Sequence, residues 1–199
     1  AYVVRIYVRH KPKKDIIYEI NAMNYLRDFG IPMPIVFSTE NTLVFKVKNF
    51  NAIILEFVKG NVIGSKQINS KSVQELAKAV GQFHKIGRKY ANKQKRIETD
   101  LFDFEYDNRF LRKHLPKLLK FKNFKDFYYL GAFVKLRINF LKKKLTKFAN
   151  AKSVGLIHND LRIDNFLFRN NGVVAILDFD ECCFGSFDSD IATILGQIP

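Results

Sequence analysis

The sequence predicts an α+β chain in two lobes, a small antiparallel sheet followed by a mainly helical region, and three observations predict it. Short runs rich in β-branched and aromatic residues dominate as far as Val58; helical periodicity takes over from Ser72; compact apolar runs then return between Gly155 and Leu177 around a loop crowded with Asp and Asn. The lobes are expected at residues 1–59, including the crossover between them, and 60–199.

Taken in order, Tyr2 to Tyr7 reads as a strand running into the basic turn His10 to Lys14. A helix follows, because Ile16, Ile20, Met23 and Leu26 fall at helical spacing, Asp15 suits the N-terminal end, and Gly30 with Pro32 closes the segment. Thr42 to Val47 and Ala52 to Val58 flank the polar turn Lys48 to Asn51 and form a hairpin ending at Lys59-Gly60. The pair Ser72 and Glu75 is a capping box for a helix whose apolar stripe is Val73, Leu76, Ala77, Val80 and Phe83. Leu101 to Leu119 and Phe127 to Ala149 supply further helical segments. Gly155 to Ile157, Phe166 to Phe168 and Val173 to Leu177 are strands, with Asn170, Asn171 and Gly172 turning the last pair.

Composition narrows the class. With 47% hydrophobic residues in 199, the chain can bury a sizeable core, so disorder is excluded. Its longest apolar runs fall far short of the roughly 20 residues that span a bilayer. The two cysteines, Cys182 and Cys183, are adjacent, a spacing that disfavours a disulfide and suits a reducing cytoplasm. The sequence opens on Ala1 without an initiator Met and shows no secretion signal. A net charge of +15 invites a nucleic-acid reading. It ranks last, because Lys142, Lys143, Lys144 and Lys147 interleave with Ile138, Leu141, Leu145 and Phe148 as the wet face of an amphipathic helix.

Chemistry concentrates in Ile157-His158-Asn159-Asp160-Leu161-Arg162-Ile163-Asp164-Asn165, followed by the hairpin and Leu177-Asp178-Phe179-Asp180. Phosphoryl transfer asks for a carboxylate that orients the attacking hydroxyl and receives its proton, and for oxygen ligands that hold Mg²⁺ against nucleotide phosphates. An Asp, an Asn five residues on, and a second Asp beyond a hairpin can aim three such groups into one cleft.

The pattern His158-x-Asp160-x-x-x-x-Asn165 with Asp178 resembles the catalytic loop and metal-binding segment of the aminoglycoside phosphotransferase and choline kinase superfamily, a branch of the protein-kinase-like fold. The flanks Gly155-Leu-Ile-His-Asn-Asp-Leu, Phe184-Gly185 and Asp190-Ile-Ala are similar to bacterial homoserine kinases of that superfamily. The resemblance implies ATP and Mg²⁺ as cofactors, Asp160 as base, Asn165 and Asp178 as metal ligands, Asp190 as an anchor of the catalytic loop and His158 as a scaffold residue. It places Arg5 where the family strand carries a phosphate-binding Lys, and Glu19 as the helix residue that pairs with it. It likens Ile53-Ile-Leu-Glu-Phe-Val-Lys-Gly60 to the hinge, where backbone groups around Glu56 and Val58 would hold adenine. By the same resemblance, a glycine-rich loop belongs before the first strand, and further helices belong beyond Asp190.

The expected function is phosphoryl transfer from ATP to a small-molecule alcohol, homoserine first and an aminoglycoside or choline-like alcohol next, with neither nucleic acid nor membrane as partner. The rival is a degenerate nucleotide-binding protein, since Arg in place of Lys keeps the charge but not the geometry of an ammonium. Bland readings hold elsewhere. Arg162 and Asp164 suit a turn or surface, Asp180 is a lesser candidate for substrate or metal contact, and His84 is a packed or capping residue. His10 and His114 lack partners at zinc spacing, and Gly60 to Gly64 lacks a P-loop ending.

Overall fold

The computed structural model describes residues 1–8, 11–39, 42–64, 67–91, 136, 140 and 153–198. The chain forms two compact units, Ala1–Arg96 with Ser153–Pro199, and Ile97–Lys152. All strands and long helices described below belong to the first. The helical segments expected within 101–149, with the lysine-rich face and His114, lie outside the described residues apart from Leu136 and Phe140, both helical. His10 is also outside them.

Strand β1 (Tyr2–Tyr7) pairs antiparallel with β4 (Phe50–Glu56), placing Arg5 opposite Ile53. β2 (Val36–Phe37) and β3 (Phe45–Val47) also pair with β4, completing a four-stranded sheet. The β3–β4 hairpin turns through Lys48 in the left-handed region. Its first strand is shorter than the Thr42–Val47 expectation, because Thr42 instead bridges back to Thr39. Helix α1 (Lys13–Asp28) ends as expected at Gly30, whose φ of 84° permits its N–H to reach Arg27 while Ile31 N–H reaches Leu26. Its Ile16, Ile20, Met23 and Leu26 are buried, the periodic stripe read from the sequence.

Helix α2 (Ser70–Gly87) begins earlier than the capping box predicts. Asn69 is the cap, its side chain accepting from Ser72 N–H at 2.9 Å, while Ser72 is buried and Glu75 pairs with Lys78. Leu76, Ala79, Val80 and Phe83 face the core, whereas Ala77 is exposed. The remaining strands are β5 (Asn61–Val62), β6 (Val154–Ile157), β7 (Phe166–Arg169), β8 (Gly172–Ile176) and β9 (Cys183–Ser186), followed by α3 (Phe187–Leu195). They form an antiparallel β5-β7-β8 sheet and a β6-β9 pair. One continuous core joins these parts: Ile16, Ile20 and Leu26 of α1 meet Ile53, Phe83, Phe166, Phe168, Ile176 and Phe179. Both cysteines are buried and not disulfide-bonded. No helix among the described residues is long and apolar enough to cross a membrane.

Two glycines give opposite expectations. A Cβ at Gly155 would lie 2.5 Å from the Phe187 ring and 2.8 Å from Arg88 Cα, so Gly155→Ala should cost about 1–3 kcal/mol through overpacking. A Cβ on the exposed helical Gly81 meets nothing within 4 Å, so Gly81→Ala should stabilise by roughly 0.5–1 kcal/mol. Denaturant unfolding of both variants checks the sign of each change.

Candidate active site

The catalytic-loop candidate leaves β6 at Ile157 and is fastened from below. The fully buried carboxylate of Asp190, in α3, accepts the backbone N–H of His158 at 3.0 Å and of Asn159 at 2.8 Å. His84 of α2 lies 3.0 Å from the same carboxylate through Nε2 and stacks on Phe187. The expected anchoring position of Asp190 and packed position of His84 are therefore the observed ones. His158 is also fully buried. Its Nδ1 accepts the Asp160 N–H at 3.3 Å, which makes Nε2 the donor to the Leu177 carbonyl at 2.7 Å. A ring so engaged ties the loop to the strand leading into Asp178.

Asn159 adopts φ 65°, a left-handed conformation that Asn tolerates, and the chain turns there to present Asp160. A short 3₁₀ turn over Ile163–Asn165 then brings Asn165 back beneath it. Asn165 donates through Nδ2 to the Asp160 carbonyl at 2.9 Å, with the Asp160 carboxylate 3.5 Å away. The Asn165 carbonyl accepts Leu177 N–H at 2.8 Å, so Asp178 follows immediately beside it. Asp160, Asn165 and the segment carrying Asp178 thus form one connected group. Asp178 itself is left-handed, at φ 62° and ψ 51°, which turns its half-exposed carboxylate away from the path of β8 and toward Arg5. Arg162 and Asp164 pair with each other at the surface, where this hydrogen bond raises the Arg162 pKa.

Across from this loop, Arg5 of β1 donates to Asp178 and lies 3.3 Å from Asp180 and 3.4 Å from Glu19. Glu19 has no exposed surface, and Lys11 reaches it at 3.1 Å while also donating to the Asp180 carbonyl. Burial works against the charge on Arg5 and is the largest single influence, but Glu19, Asp178 and their neighbours outweigh it and raise its pKa. The adjacent Tyr7 phenol is pushed up, first by burial and then by the negative charge of Glu19. The expected Arg5–Glu19 pair is present. Lys11 and Asp180 as its partners were not foreseen, and the reason is geometric. Lys11 precedes Glu19 by eight residues, which in a continuous helix would separate them by about 12 Å along the axis. Pro12, with φ −58° and ψ 142°, interrupts the helical path and lets the side chain fold back.

A cavity of about 490 Å³ opens beside Arg5 and Asp178, walled by Met23, Leu55, Val58, Leu167 and Phe179. Glu56 lines it too, but its carboxylate accepts Ile35 N–H at 3.2 Å and its own N–H donates to Ile35, so it fastens the strand edge. Gly60 is required in the wall, since a Cβ there would stand 2.9 Å from Leu167 Cβ and 3.0 Å from Val174. A flat apolar group fits such walls, with a charged group at the rim.

Asn165 and Asp178 carry oxygen donors of the kind a hard divalent cation takes, while among the described residues no group of three or more His, Cys, Asp or Glu side chains forms a metal site. Around Arg5 and Lys11 the carboxylates of Glu19, Asp178 and Asp180 outnumber the cations three to two, and the exposed member of the cluster is Asp178. Asn165 Nδ2 is held by a carbonyl, so the side chain's oxygen is the atom it can offer.

Known proteins share this arrangement of elements. The sequence model of the phosphotransferase enzyme family matches residues 1–198. Homoserine kinase of Beijerinckia indica subsp. indica is 23% identical over 198 residues, covering 98% of this chain and 56% of that protein. Homoserine kinase of Bartonella tribocorum is 22% identical over 195 residues, covering 98% and 57%. The chain therefore spans a little over half the length of these relatives. Among solved structures, an amicoumacin kinase in complex with AMP-PNP, Ca²⁺ and Ami superposes with a TM-score of 0.74 at 20% identity, covering 99% of this chain and 57% of that one. Choline kinase from Cryptosporidium parvum Iowa II gives 0.67 at 22% identity, covering 99% and 56%. At these identities the structures speak for the fold, the mixed α+β, protein-kinase-like class expected from the sequence. Since the family match runs from the first strand through the last helix, the chain belongs to the phosphotransferase enzyme family.

Proposed function

We propose that this chain carries the nucleotide site and catalytic centre of an ATP-dependent phosphotransferase that moves the γ-phosphoryl group to a hydroxyl of a small molecule. The observation that carries the reading is that Asn165 bonds Asp160 through its side chain and, through its carbonyl, the residue before Asp178, which lines an apolar cavity together with Arg5. In this reading residues 1–59 form the nucleotide lobe with its hinge and 60–199 the catalytic and acceptor lobe. Adenine enters the cavity against backbone groups near Glu56 and Val58. Arg5, which pairs with Glu19, engages phosphate oxygens as a bidentate donor. Asn165 and Asp178 hold Mg²⁺, which supplies neutralising charge at the transferring phosphoryl group.

Asp160 orients the acceptor hydroxyl and receives its proton. Its backbone is fixed on both sides, by His158 and by Asn165, so little reorganisation is needed when the acceptor arrives. Homoserine is the first acceptor to test, because two homoserine kinases are similar over nearly the whole chain. An aminoglycoside or a choline-like alcohol follows, and the setting is cytoplasmic.

One observation favours a second reading, a nucleotide-binding protein without turnover: Arg5 lies directly on Asp178, where the metal is proposed to bind. Incubating the 199-residue chain with Mg-ATP and a panel of alcohols separates the two. Turnover that falls by about 10²–10⁴-fold in Asp160→Asn, with Mg-ATP thermal stabilisation kept, supports the enzyme. Stabilisation without transfer to any acceptor supports the second reading. In either case Asp178→Ala should abolish the Mg²⁺-dependent part of the nucleotide-induced rise in melting temperature, and an undiminished rise would remove Asp178 from the metal site.

A further inference from the structure

We infer that Lys11 is a positioning residue of this site: its ammonium is the standing counter-ion of buried Glu19 and the tie that fixes the Asp178–Asp180 turn, which leaves Arg5 able to serve the nucleotide. The inference rests on the phosphotransferase reading and assigns a role to a side chain outside the expected motifs.

Glu19 has no exposed surface, and an ionised carboxylate so placed demands a partner. Two cations are in reach, Lys11 at 3.1 Å and Arg5 at 3.4 Å. Their surroundings differ. Both lie 5.2 Å from the centre of the Tyr7 ring, but Lys11 is the less exposed and its backbone carbonyl accepts from Asn51 of β4 at 2.9 Å. It also donates to the backbone carbonyl of Asp180, which fastens the turn following Asp178 to α1. Arg5 is shared among Glu19, Asp178 and Asp180, and its Asp178 partner is the exposed carboxylate of the group.

For Arg5 to serve a nucleotide whose divalent cation would be held by Asp178, its guanidinium would have to exchange a carboxylate for phosphate oxygens. With Arg5 as the sole partner of Glu19, that exchange would leave a buried charge uncompensated and would be opposed. Lys11 removes the opposition, because Glu19 keeps a partner throughout. The single cation expected from the family resemblance is thus divided here between two side chains.

Calorimetric titration with Mg-ADP tests this on the 199-residue chain and on Lys11→Met, Lys11→Arg, Glu19→Gln and the Lys11→Met/Glu19→Gln double variant, each at a temperature where it is folded. Lys11→Met should weaken Mg-ADP by about tenfold, the scale of one charge-assisted contact, as Arg5 is drawn back to Glu19. Lys11→Arg should recover most of the loss. Glu19→Gln added to Lys11→Met should also recover affinity, since the buried charge that retains Arg5 is gone; a purely structural lysine predicts no such suppression. Binding by Lys11→Met within about twofold of the unaltered chain, or a double variant no better than Lys11→Met, would overturn the inference. Melting temperatures without nucleotide form a separate arm: coupled losses for Lys11→Met and Glu19→Gln are expected, and additive losses refute the Lys11–Glu19 pairing. An unaltered chain that binds no Mg-ADP refutes the nucleotide site together with the role given to Lys11, an outcome distinct from either of these.

Discussion

The candidate site depends on a carboxylate buried beneath its loop. Asp190 is sealed from solvent, yet it accepts two consecutive backbone N–H groups and a histidine ring nitrogen. A buried carboxylate is costly unless its oxygens are satisfied, and here that cost becomes a constraint, because the loop can satisfy them in few conformations. The left-handed turn at Asn159 is imposed by the same two hydrogen bonds. Everything downstream inherits the constraint: Asp160 follows at once, His158 reaches the strand before Asp178, and Asn165 closes on Asp160. Helices α2 and α3 therefore shape the site through one acid group and a stacked His84–Phe187 pair.

The charge arrangement works on two scales. The chain carries +15 overall, which favours the approach of a polyanion such as a nucleotide. Around Arg5, however, acids outnumber bases, so the sign of the chain's net charge is not repeated there. A ligand that brings both anionic oxygens and a divalent cation matches this contrast better than either charge alone.

Much of this was legible in the sequence, and the remainder was hidden for physical reasons. β1, the stripe of α1 and the turn of the β7–β8 hairpin carry strong local signals: a run of β-branched and aromatic residues, 3.6-residue periodicity and an Asn-Asn-Gly turn. The Asp160–Asn165–Asp178 spacing survives because it is set by a loop and a hairpin, both local structures. β2 and β5, two residues each, are too short to show a period, and β9 holds a glycine at its centre. They exist because partners distant in the chain complete their hydrogen bonds. The start of α2 was misplaced because Ser72 and Glu75 satisfy the capping pattern while Asn69 supplies the actual acceptor. Lys11 was invisible for a related reason: its importance lies in where Pro12 sends it, and no spacing rule records that.

The β7–β8 hairpin has a consequence for how this chain can change over generations. Asn165 precedes one of its strands and Asp178 follows the other, so their mutual placement is measured out along a single ribbon like the jaws of a caliper. Register steps by one between Leu167 and Phe168, leaving Val174 as the extra residue that presses toward Gly60. Length added at the exposed Asn170, short of the Asn171 side chain that accepts from Asn69 and Ser72, leaves the jaws where they are. A single insertion or deletion between the bulge and Ile176 would rotate one jaw to the opposite face of the ribbon, so drift in loop length is tolerable at one end of this hairpin and lethal to the site at the other.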